Sequence, residues 1–255
     1  MKYYIGIDDT DNLESRGTGF HARSLGKSLM DAGLLNLISI TRHQLLADRR
    51  IPFTSHNSSA CLVGYSESSP ELIVLHCQKF LLRVSAFDSD AGLCVASEEI
   101  LEKISIGQRD SAGNEIVAFG NRAKHEIVSL EEAQFLAQSN GIYLDGFLNT
   151  KLGMIGSLAA VGLRFEGNDG RLLWTPHLRE IEGLYDKIKL MDFTGIERIT
   201  DLDGNDIADG AIICIGEWCR PVMIKGFITL VTEKSDNLLY GYRPASKEYI
   251  KSISE

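Results

Sequence analysis

The chain has 255 residues, with 26 Lys+Arg against 35 Asp+Glu and a formal net charge of −9. Its hydrophobic content of 44% is ordinary for a globular protein and argues against a disordered chain. The acidic balance argues against a protein that coats nucleic acid or an anionic membrane through bulk charge, although it is compatible with a local basic site.

The predicted compartment is the cytoplasm. Acidic residues from Asp8 onward interrupt the segment where a signal peptide would need an apolar stretch. Because no run of about 18 apolar residues occurs, the sequence predicts no spanning helix and no membrane partner. The five scattered cysteines, which include no CxxC pair, are typical of reduced thiols and do not indicate a zinc ribbon.

The first predicted elements are a strand, a loop, a helix and a second strand. Apolar residues alternate over 3–7 and predict the first strand, which runs into a polar, glycine-containing loop. The helix that follows has an apolar periodicity through Leu25 and Leu29 and ends at Gly33. Residues 34–41 predict the second strand. This order indicates a layered α/β unit.

The middle of the chain continues this alternation. A strand, two aspartates, a glycine and a helix recur there, which is a weak echo of the opening pattern. The predicted elements are a loop at 51–59, a strand at 60–65, a helix from Pro70 to about Arg83, a strand at 84–87, a helix at 97–104 and a polar, turn-rich stretch at 107–125.

The last part of the chain changes character. A capping box from Ser129 to Glu132 predicts a helix that Gly141 ends, and residues 149–165 are rich in small side chains. Val, Ile and Thr runs cut by glycine turns then predict a small all-β module. The predicted fold class is therefore α/β (α+β), with α/β units at 1–60 and 61–185 and the β module at 196–255.

The first candidate site is the acidic loop after the first strand. It contains Asp8, Asp9 and Asp11, and the sequence Gly17-Thr18-Gly19 follows at the start of the next helix. Adjacent carboxylates can hold Mg²⁺, and a glycine-rich helix start allows a phosphate to approach the backbone. The pattern suits a magnesium–nucleotide site. It equally suits an exposed turn with an N-cap aspartate.

Three further segments each have two interpretations. The segment from Asp88 to Gly92 is either a second acidic ligand site or an ordinary turn. The glycines of 153–160 allow either close helix packing or backbone contact with a phosphate. The arginines of 42–50 either bind phosphate or lie in a solvated loop. No GxxxxGK[ST] loop and no nucleophile–base pair occurs.

Taken together, these segments resemble the archaeal tRNA-isoleucine agmatidine (2-agmatinylcytidine) synthetases. The similar blocks, over about residues 1–165, are IGIDDTD with the following GTG, then IPFTSHNSSACLV, SAFDSDAGLCVA and LGMIGSLAAVG. The resemblance implies a kinase-type domain, a ferredoxin-like domain and an enzyme that uses ATP and Mg²⁺ to activate a cytidine for attack by agmatine. The present chain is shorter, has no zinc ribbon and has at most a reduced β module in place of the family's OB-fold.

The resemblance implies roles for individual residues. Asp8, Asp9 and Asp11 would bind Mg²⁺ and serve catalysis. The expected nucleotide-binding residues are Thr10, Thr18, Gly19, Gly153, Gly156 and Ser157, with Arg23 or Arg42 as the cation that offsets charge on the phosphates. The expected substrate-binding residues are Thr54, Asn57, Asp88, Asp90 and Gly92.

The function expected from the sequence is that of a Mg²⁺- and ATP-dependent phosphotransferase or ligase whose acceptor is a small amine or an RNA. One alternative is a nucleotide-binding or sensing protein without turnover. Another is a tRNA cytidine-modifying synthetase that acts with a partner, since residues 196–255 carry ten acidic residues against seven Lys+Arg and predict no basic groove.

Overall fold

A computed structural model describes residues 1–52, 56–106, 114–216 and 218–254. The chain divides into two compact units, Met1–Glu166 and Gly167–Glu255. Strands from the range 1–60 share a sheet with strands from the range 61–185. Within the described residues, no helix is long and apolar enough to cross a membrane.

The N-terminal unit is built on a five-stranded sheet in the order β5-β4-β1-β3-β2, in which all neighbouring strands are antiparallel. The strands are β1 (Lys2–Asp8), β2 (Asn36–Gln44), β3 (Ser58–Tyr65), β4 (Gly92–Ser97) and β5 (Tyr143–Gly146). The helices are α1 (Thr18–Asp31), α2 (Pro70–Val84), α3 (Glu98–Ile106), α4 (Glu115–His125), α5 (Leu130–Ser139) and α6 (Gly153–Glu166).

Helices cover both faces of this sheet. Side chains alternate between the two faces of β1, so Ile5 and Gly6 point in opposite directions. Leu62, which pairs with Ile5, lies near Gly26 of α1. Gly6 instead faces Ser157 of α6. The central strand is therefore buried on both sides.

Helix α6 lies unusually close to the sheet. A Cβ atom added to Gly6 would overlap the backbone oxygen of Ser157, and one added to Gly92 would overlap the backbone of Gly153. Only glycine allows backbones to approach this closely. The small residues of α6 thus serve close packing, which was one of the two interpretations of that segment, and the packing places the first turn of α6 beside the end of β1 and the start of β4.

Most predicted elements of this unit are confirmed, including β1, α1, β2, β3, α2 and the Ser129 cap, whose Oγ accepts a hydrogen bond from the Glu132 N–H at 3.1 Å. The predicted strand at 84–87 is wrong. Helix α2 continues to Val84, and the strand instead follows the aspartates, as β4. All six residues of β4 are buried, so it lacks the alternation that marks a half-exposed strand.

The stretch 107–125 is also corrected in part. Residues 107–113 lie outside the described residues, but 115–125 form α4 and not turns. Asn114 caps this helix, and its side chain accepts hydrogen bonds from the N–H groups of Ile116 and Val117. An Asn before an amphipathic segment is a helix-start signal that the polar composition obscured.

The C-terminal unit is rich in β structure, as predicted, and adds two short helices. Its strands are β6 (Arg171–Trp174), β7 (Gly183–Asp186), β8 (Arg198–Thr200), β9 (Ile212–Ile215), β10 (Val222–Ile224), β11 (Phe227–Lys234) and β12 (Tyr242–Pro244). The helices are α7 (Lys187–Thr194) and α8 (Lys247–Ser254). Helix α8 falls inside the range 196–255, so that range is β-rich but not purely β. Ile213, Ile215 and Leu230 lie in its apolar core.

Candidate functional site

The acidic loop follows β1, the central strand of the N-terminal sheet. Strand β1 ends at Asp8 between β3 and β4, and Asp8 pairs with Gly92, the first residue of β4. Asp9 has a φ of 49°, a left-handed conformation in which the chain turns away from the sheet. Because β1 and β4 are antiparallel, the end of β1 lies beside the start of β4 and the neighbouring Asp90.

The Asp8 carboxylate lies against the first turn of α6. A Cβ atom added to Gly156 would overlap Oδ2 of Asp8, so the glycine is what makes room for the carboxylate. Burial raises the pKa of Asp8 well above its usual range, and the neighbouring charge of Asp9 adds to the effect. A cation bound here would offset both causes.

The pKa of Asp9 is also raised. Burial, followed by the charges of Asp90 and Asp11, raises its pKa to about 6. The backbone N–H of Asp90 donates a hydrogen bond to Asp9 and offsets this only in part. Two adjacent half-buried carboxylates with raised pKa values are typical of a functional site, since a purely structural pair would be stabilised by cations.

Asp11 has a different role, because it caps helix α1. Its Oδ1 accepts hydrogen bonds from the Thr18 N–H at 2.9 Å and from the Thr18 hydroxyl at 2.7 Å. The Thr18 Oγ1 in turn accepts from the Thr10 hydroxyl at 3.1 Å, and Thr10 Oγ1 lies 2.9 Å from Nδ1 of His21. Because the Thr10 hydroxyl donates its proton to Thr18, its oxygen is left to accept a hydrogen bond from His21. Nδ1 of His21 is therefore the protonated ring nitrogen.

This network engages the hydroxyl groups of Thr10 and Thr18, the two threonines predicted to bind phosphate. Thr10 is fully buried and its hydroxyl is used inside the loop. Thr18 lines the neighbouring cleft, but its own N–H and hydroxyl both donate to Asp11. Asp11 thus occupies donors at the start of α1 that a phosphate would otherwise use, and Gly19 follows in the same turn.

Asp90 holds the loop before α6. Its carboxylate accepts hydrogen bonds from the N–H and hydroxyl of Thr150 and from the N–H of Lys151. Leu148, Asn149 and Lys151 in this loop all have positive φ, which costs energy in residues with a side chain. The hydrogen bonds to Asp90 therefore stabilise the strained loop that leads into the first turn of α6.

A cleft of about 900 Å³, counting the space open to solvent, begins at Asp8 and Asp9. The part around Asp8, here called its polar end, includes these carboxylates, Asp11, Thr18, Gly153 and Gly156. The apolar residues of the remaining lining, here called the apolar wall, are Leu45, Ile51, Pro52, Ala123, Ile127, Val128, Leu152 and Ile155, and they are accompanied by Arg50, His56, Asn57, Ser58 and Glu126. A cleft that combines carboxylates with a large apolar surface suits a ligand that has both a charged group and a flat, apolar group.

The other predicted residues lie in several places. Asn57 lines the cleft, and its Nδ2 donates to the Leu46 carbonyl at 2.7 Å. Gly92 begins β4, opposite Asp8. Asp88 accepts a hydrogen bond from Asn12 at 2.8 Å and borders a second, more open pocket. Thr54 lies outside the described residues.

Three further predicted residues lie on β2, α1 and α6. Arg42 is fixed on β2 by the Ser58 hydroxyl at 2.9 Å and the Gln44 side chain at 3.1 Å. Arg23 is a half-buried residue of α1. The Ser157 hydroxyl is buried and donates to the Met154 carbonyl within α6. Among the described residues that line the cleft, the arginine is Arg50.

The apolar wall was not identified from the sequence. Arg50 is one of the arginines of 42–50 for which phosphate binding was one of two interpretations, and its guanidinium pairs with Asp48 at 2.9 Å. The apolar wall comes from the ends of β2, α4 and α6, which are far apart in the chain. Only tertiary packing brings them together, so no local pattern could have revealed them.

The carboxylates fit a magnesium ion held partly by a ligand. Across the part of the chain that the structure describes, no group of three or more His, Cys, Asp or Glu side chains forms a metal-binding set. Mg²⁺ is usually bound through one or two carboxylates together with water and substrate phosphates. Asp8 and Asp9 supply such a pair, whereas the Asp11 carboxylate already caps α1.

No family model matches the chain, and a search of curated proteins finds no match. Solved structures do match in fold. Apo tRNA agmatidine synthetase aligns with 64% of this chain and 35% of its own, at 20% identity and a TM-score of 0.53. The complex of this synthetase with tRNA and ATP aligns with 99% of this chain and 54% of its own, at 20% identity and a TM-score of 0.55.

A third structure, the synthetase with tRNA, AMPCPP and agmatine, aligns over 99% of this chain and 55% of its own, with 19% identity and a TM-score of 0.53. The present chain thus spans between about a third and just over half of the length of the synthetases it matches. At this identity the comparison establishes a shared fold, in agreement with the resemblance seen in the sequence blocks.

Proposed function

We propose that the N-terminal unit binds Mg²⁺ and ATP in its cleft and activates an acceptor by phosphoryl or nucleotidyl transfer, as an enzyme related to the tRNA agmatidine synthetases. The observation that carries this proposal is the pair of half-buried carboxylates, Asp8 and Asp9, with raised pKa values at one end of a largely apolar cleft. The shared fold with a synthetase solved in complex with ATP supports it.

In this proposal the phosphates lie at the polar end of the cleft. Asp8 and Asp9 hold Mg²⁺, which supplies positive charge to the phosphate oxygens. The start of α6 borders the same space through Gly153 and Gly156. The nucleoside packs on the apolar wall, and Arg50, which lines the cleft, is the proposed cation. Asp11 acts as a positioning residue, because it fixes α1.

Catalysis then rests on placement and charge. Phosphoryl transfer needs its groups in line and the charge on the phosphate oxygens neutralised, with little covalent chemistry from the protein. A carboxylate of this cluster that does not bind the cation can serve as the base that accepts a proton from the acceptor.

The acceptor that the geometry favours is a cationic amine. A second pocket adjoins the carboxylates and is bordered by Asp9, Glu14, Asp88 and Asp90. A wall with this density of carboxylates attracts a positively charged group and repels a phosphate. A synthetase of the same fold was solved in complex with agmatine, which supports an amine as the acceptor.

A second candidate is modification of an RNA, with the amine as co-substrate. The observation that favours it is the alignment of 99% of this chain with a synthetase bound to tRNA. The net charge of −9 then requires a local basic surface or a partner protein for the RNA. A sensing protein without turnover is the remaining alternative.

The test is incubation with Mg²⁺-ATP and agmatine, with and without an anticodon stem-loop RNA, resolving AMP, ADP, phosphate and pyrophosphate. Turnover that depends on the amine supports the enzyme, and turnover that also needs RNA favours the second candidate. Asp8→Asn should abolish it, whereas Asp31→Asn, in an exposed pair with Lys27, should not. If Asp8→Asn and Asp9→Asn both leave ATP turnover intact, the proposal is wrong. Tight ATP binding without any product would identify a sensing protein.

A further inference from the structure

The C-terminal unit contains five arginines, and they fall into two groups. Arg198 pairs with Asp206 at 3.0 Å, and Arg243 pairs with Glu233 at 2.7 Å. Arg179 and Arg171 lie close enough to Arg220 to act on its charge: burial, then the charge of Arg179, and to a smaller degree that of Arg171, lower the pKa of Arg220. Like charges gathered in this way favour binding of an anion.

Two of these arginines border a cleft. The cleft has about 640 Å³ of space, counting its open mouth, and is lined by Arg179, Arg220 and Glu182 together with Leu178, Ile181, Gly216 and Cys219. Arg179 and Glu182 are exposed, and Arg220 is half-buried. The site is therefore accessible from solvent and has a partly desolvated cation in its wall, where a charge–charge interaction is stronger than in bulk water.

Arg220 is held in place before any ligand binds. Its Nη1 donates to the Cys219 carbonyl at 2.9 Å, and its guanidinium lies 5.9 Å from the centre of the Trp218 ring. A guanidinium has five N–H donors, so this contact uses one of them. A planar guanidinium in a fixed orientation is well suited to bind a phosphate through two parallel hydrogen bonds.

We propose that the cleft bordered by Arg179 and Arg220, with Arg171 nearby, is a second anion site that binds a phosphate group, separate from the ATP cleft of the N-terminal unit. The phosphate can belong to a small molecule or to the backbone of a single-stranded RNA. Glu182 opposes binding, because its carboxylate repels the same anion.

The test titrates the full chain with inorganic pyrophosphate and, separately, with a short single-stranded RNA at low salt, in EDTA so that Mg²⁺-dependent binding elsewhere does not contribute. Arg179→Ala and Arg220→Ala should each weaken binding by about tenfold, since a hydrogen bond to a charged group contributes about 1.5–3 kcal/mol. Glu182→Gln should tighten it. Arg243→Ala and Glu248→Gln are the matched controls, and they should leave the dissociation constant unchanged.

Arg179 and Glu182 are exposed, so their variants keep the test valid even if loss of the half-buried Arg220 disturbs folding. Binding of pyrophosphate alone assigns the site to small phosphates, and binding of RNA alone assigns it to nucleic acid. Absence of binding to both ligands, or equal effects of the site and control variants, overturns the proposal. Mg²⁺-dependent ATP binding, measured in parallel, should be unchanged by Arg179→Ala. A result that overturns the second anion site is therefore distinguishable from one that overturns the proposed ATP site.

Discussion

Asp9 joins two features that are unfavourable in the protein without a ligand. Its backbone is left-handed, with a φ of 49°, and its carboxylate is half-buried beside two other carboxylates. Such local costs persist where the surrounding structure imposes them, and they concentrate at functional sites. We therefore expect Asp9 to lower the stability of the ligand-free protein while it is needed for function.

Replacing Asp9 with Asn tests this opposition. Asn tolerates the left-handed conformation, and it cannot ionise. Because the folded-state pKa of about 6 lies above the ordinary value of 3.8, the contribution of Asp9 to stability is present below about pH 4 and is lost as pH rises through 6. Thermal melting without Mg²⁺ should thus show Asp9→Asn more stable than the wild type at pH 7.5, with the difference vanishing near pH 4. An equal difference at both pH values would contradict the assignment.

At the scale of elements, α6 connects the fold to the site. Its glycines allow it to press on β1 and β4, and this packing places its first turn against Asp8. The same contact therefore stabilises the unit and shapes the polar end of the cleft.

The Gly6→Ala variant measures how much that contact contributes. The added Cβ would overlap the backbone oxygen of Ser157, which cannot move without shifting α6. We expect the free energy of unfolding to fall by about 1–3 kcal/mol, the range for overpacking a core. Gly210→Ala is the control, since a Cβ there meets open space. Denaturant unfolding checks both, and equal midpoints would show that α6 is not closely packed on β1.

Asp90 is expected to act through the loop that it holds. Asp90→Ala removes the acceptor for Thr150 and Lys151 and should weaken Mg²⁺-ATP binding, because the start of α6 is no longer fixed. Asp90→Asn keeps one acceptor oxygen and should restore part of the affinity. Calorimetric titration of ATP gives the result. Asp88→Ala, which removes only an exposed contact with Asn12, should leave ATP affinity unchanged.

The elements that were predicted correctly are those with a local signal. The Ser129 capping box and the Ser69-Pro70 start identify α5 and α2 because caps act within one turn. Strand β4 was placed wrongly because it is buried on both faces and has no alternation. The acidic loop could be found from the sequence. Its closeness to Asp90 depends on antiparallel pairing of β1 with β4, and its contact with α6 depends on packing of that helix on the sheet, and a single sequence holds no local signal for either.

At the scale of the whole chain, every described residue of the cleft belongs to Met1–Glu166. A fragment of residues 1–166 should therefore fold and keep the increase in melting temperature that Mg²⁺-ATP gives the full chain, as binding to the native state requires. A fragment that melts cooperatively but shows no response to Mg²⁺-ATP, while the full chain responds, would show that residues beyond 166 contribute to the site.

The net charge also has a clearer meaning at this scale. The C-terminal unit is acidic in sum, yet two of its arginines border one cleft and a third lies nearby, so bulk charge does not describe its binding capacity. The unit is expected to bind an anion locally, with a strong dependence on salt.

The central claim, that Asp8 and Asp9 hold Mg²⁺ for ATP, is tested most directly by calorimetric titration of ATP into the wild type, Asp8→Asn and Asp31→Asn, each with and without Mg²⁺. We predict Mg²⁺-dependent binding to the wild type and to Asp31→Asn, and its loss in Asp8→Asn, whose amide cannot neutralise the cation. Equal Mg²⁺-dependent affinity of Asp8→Asn and the wild type would contradict the claim.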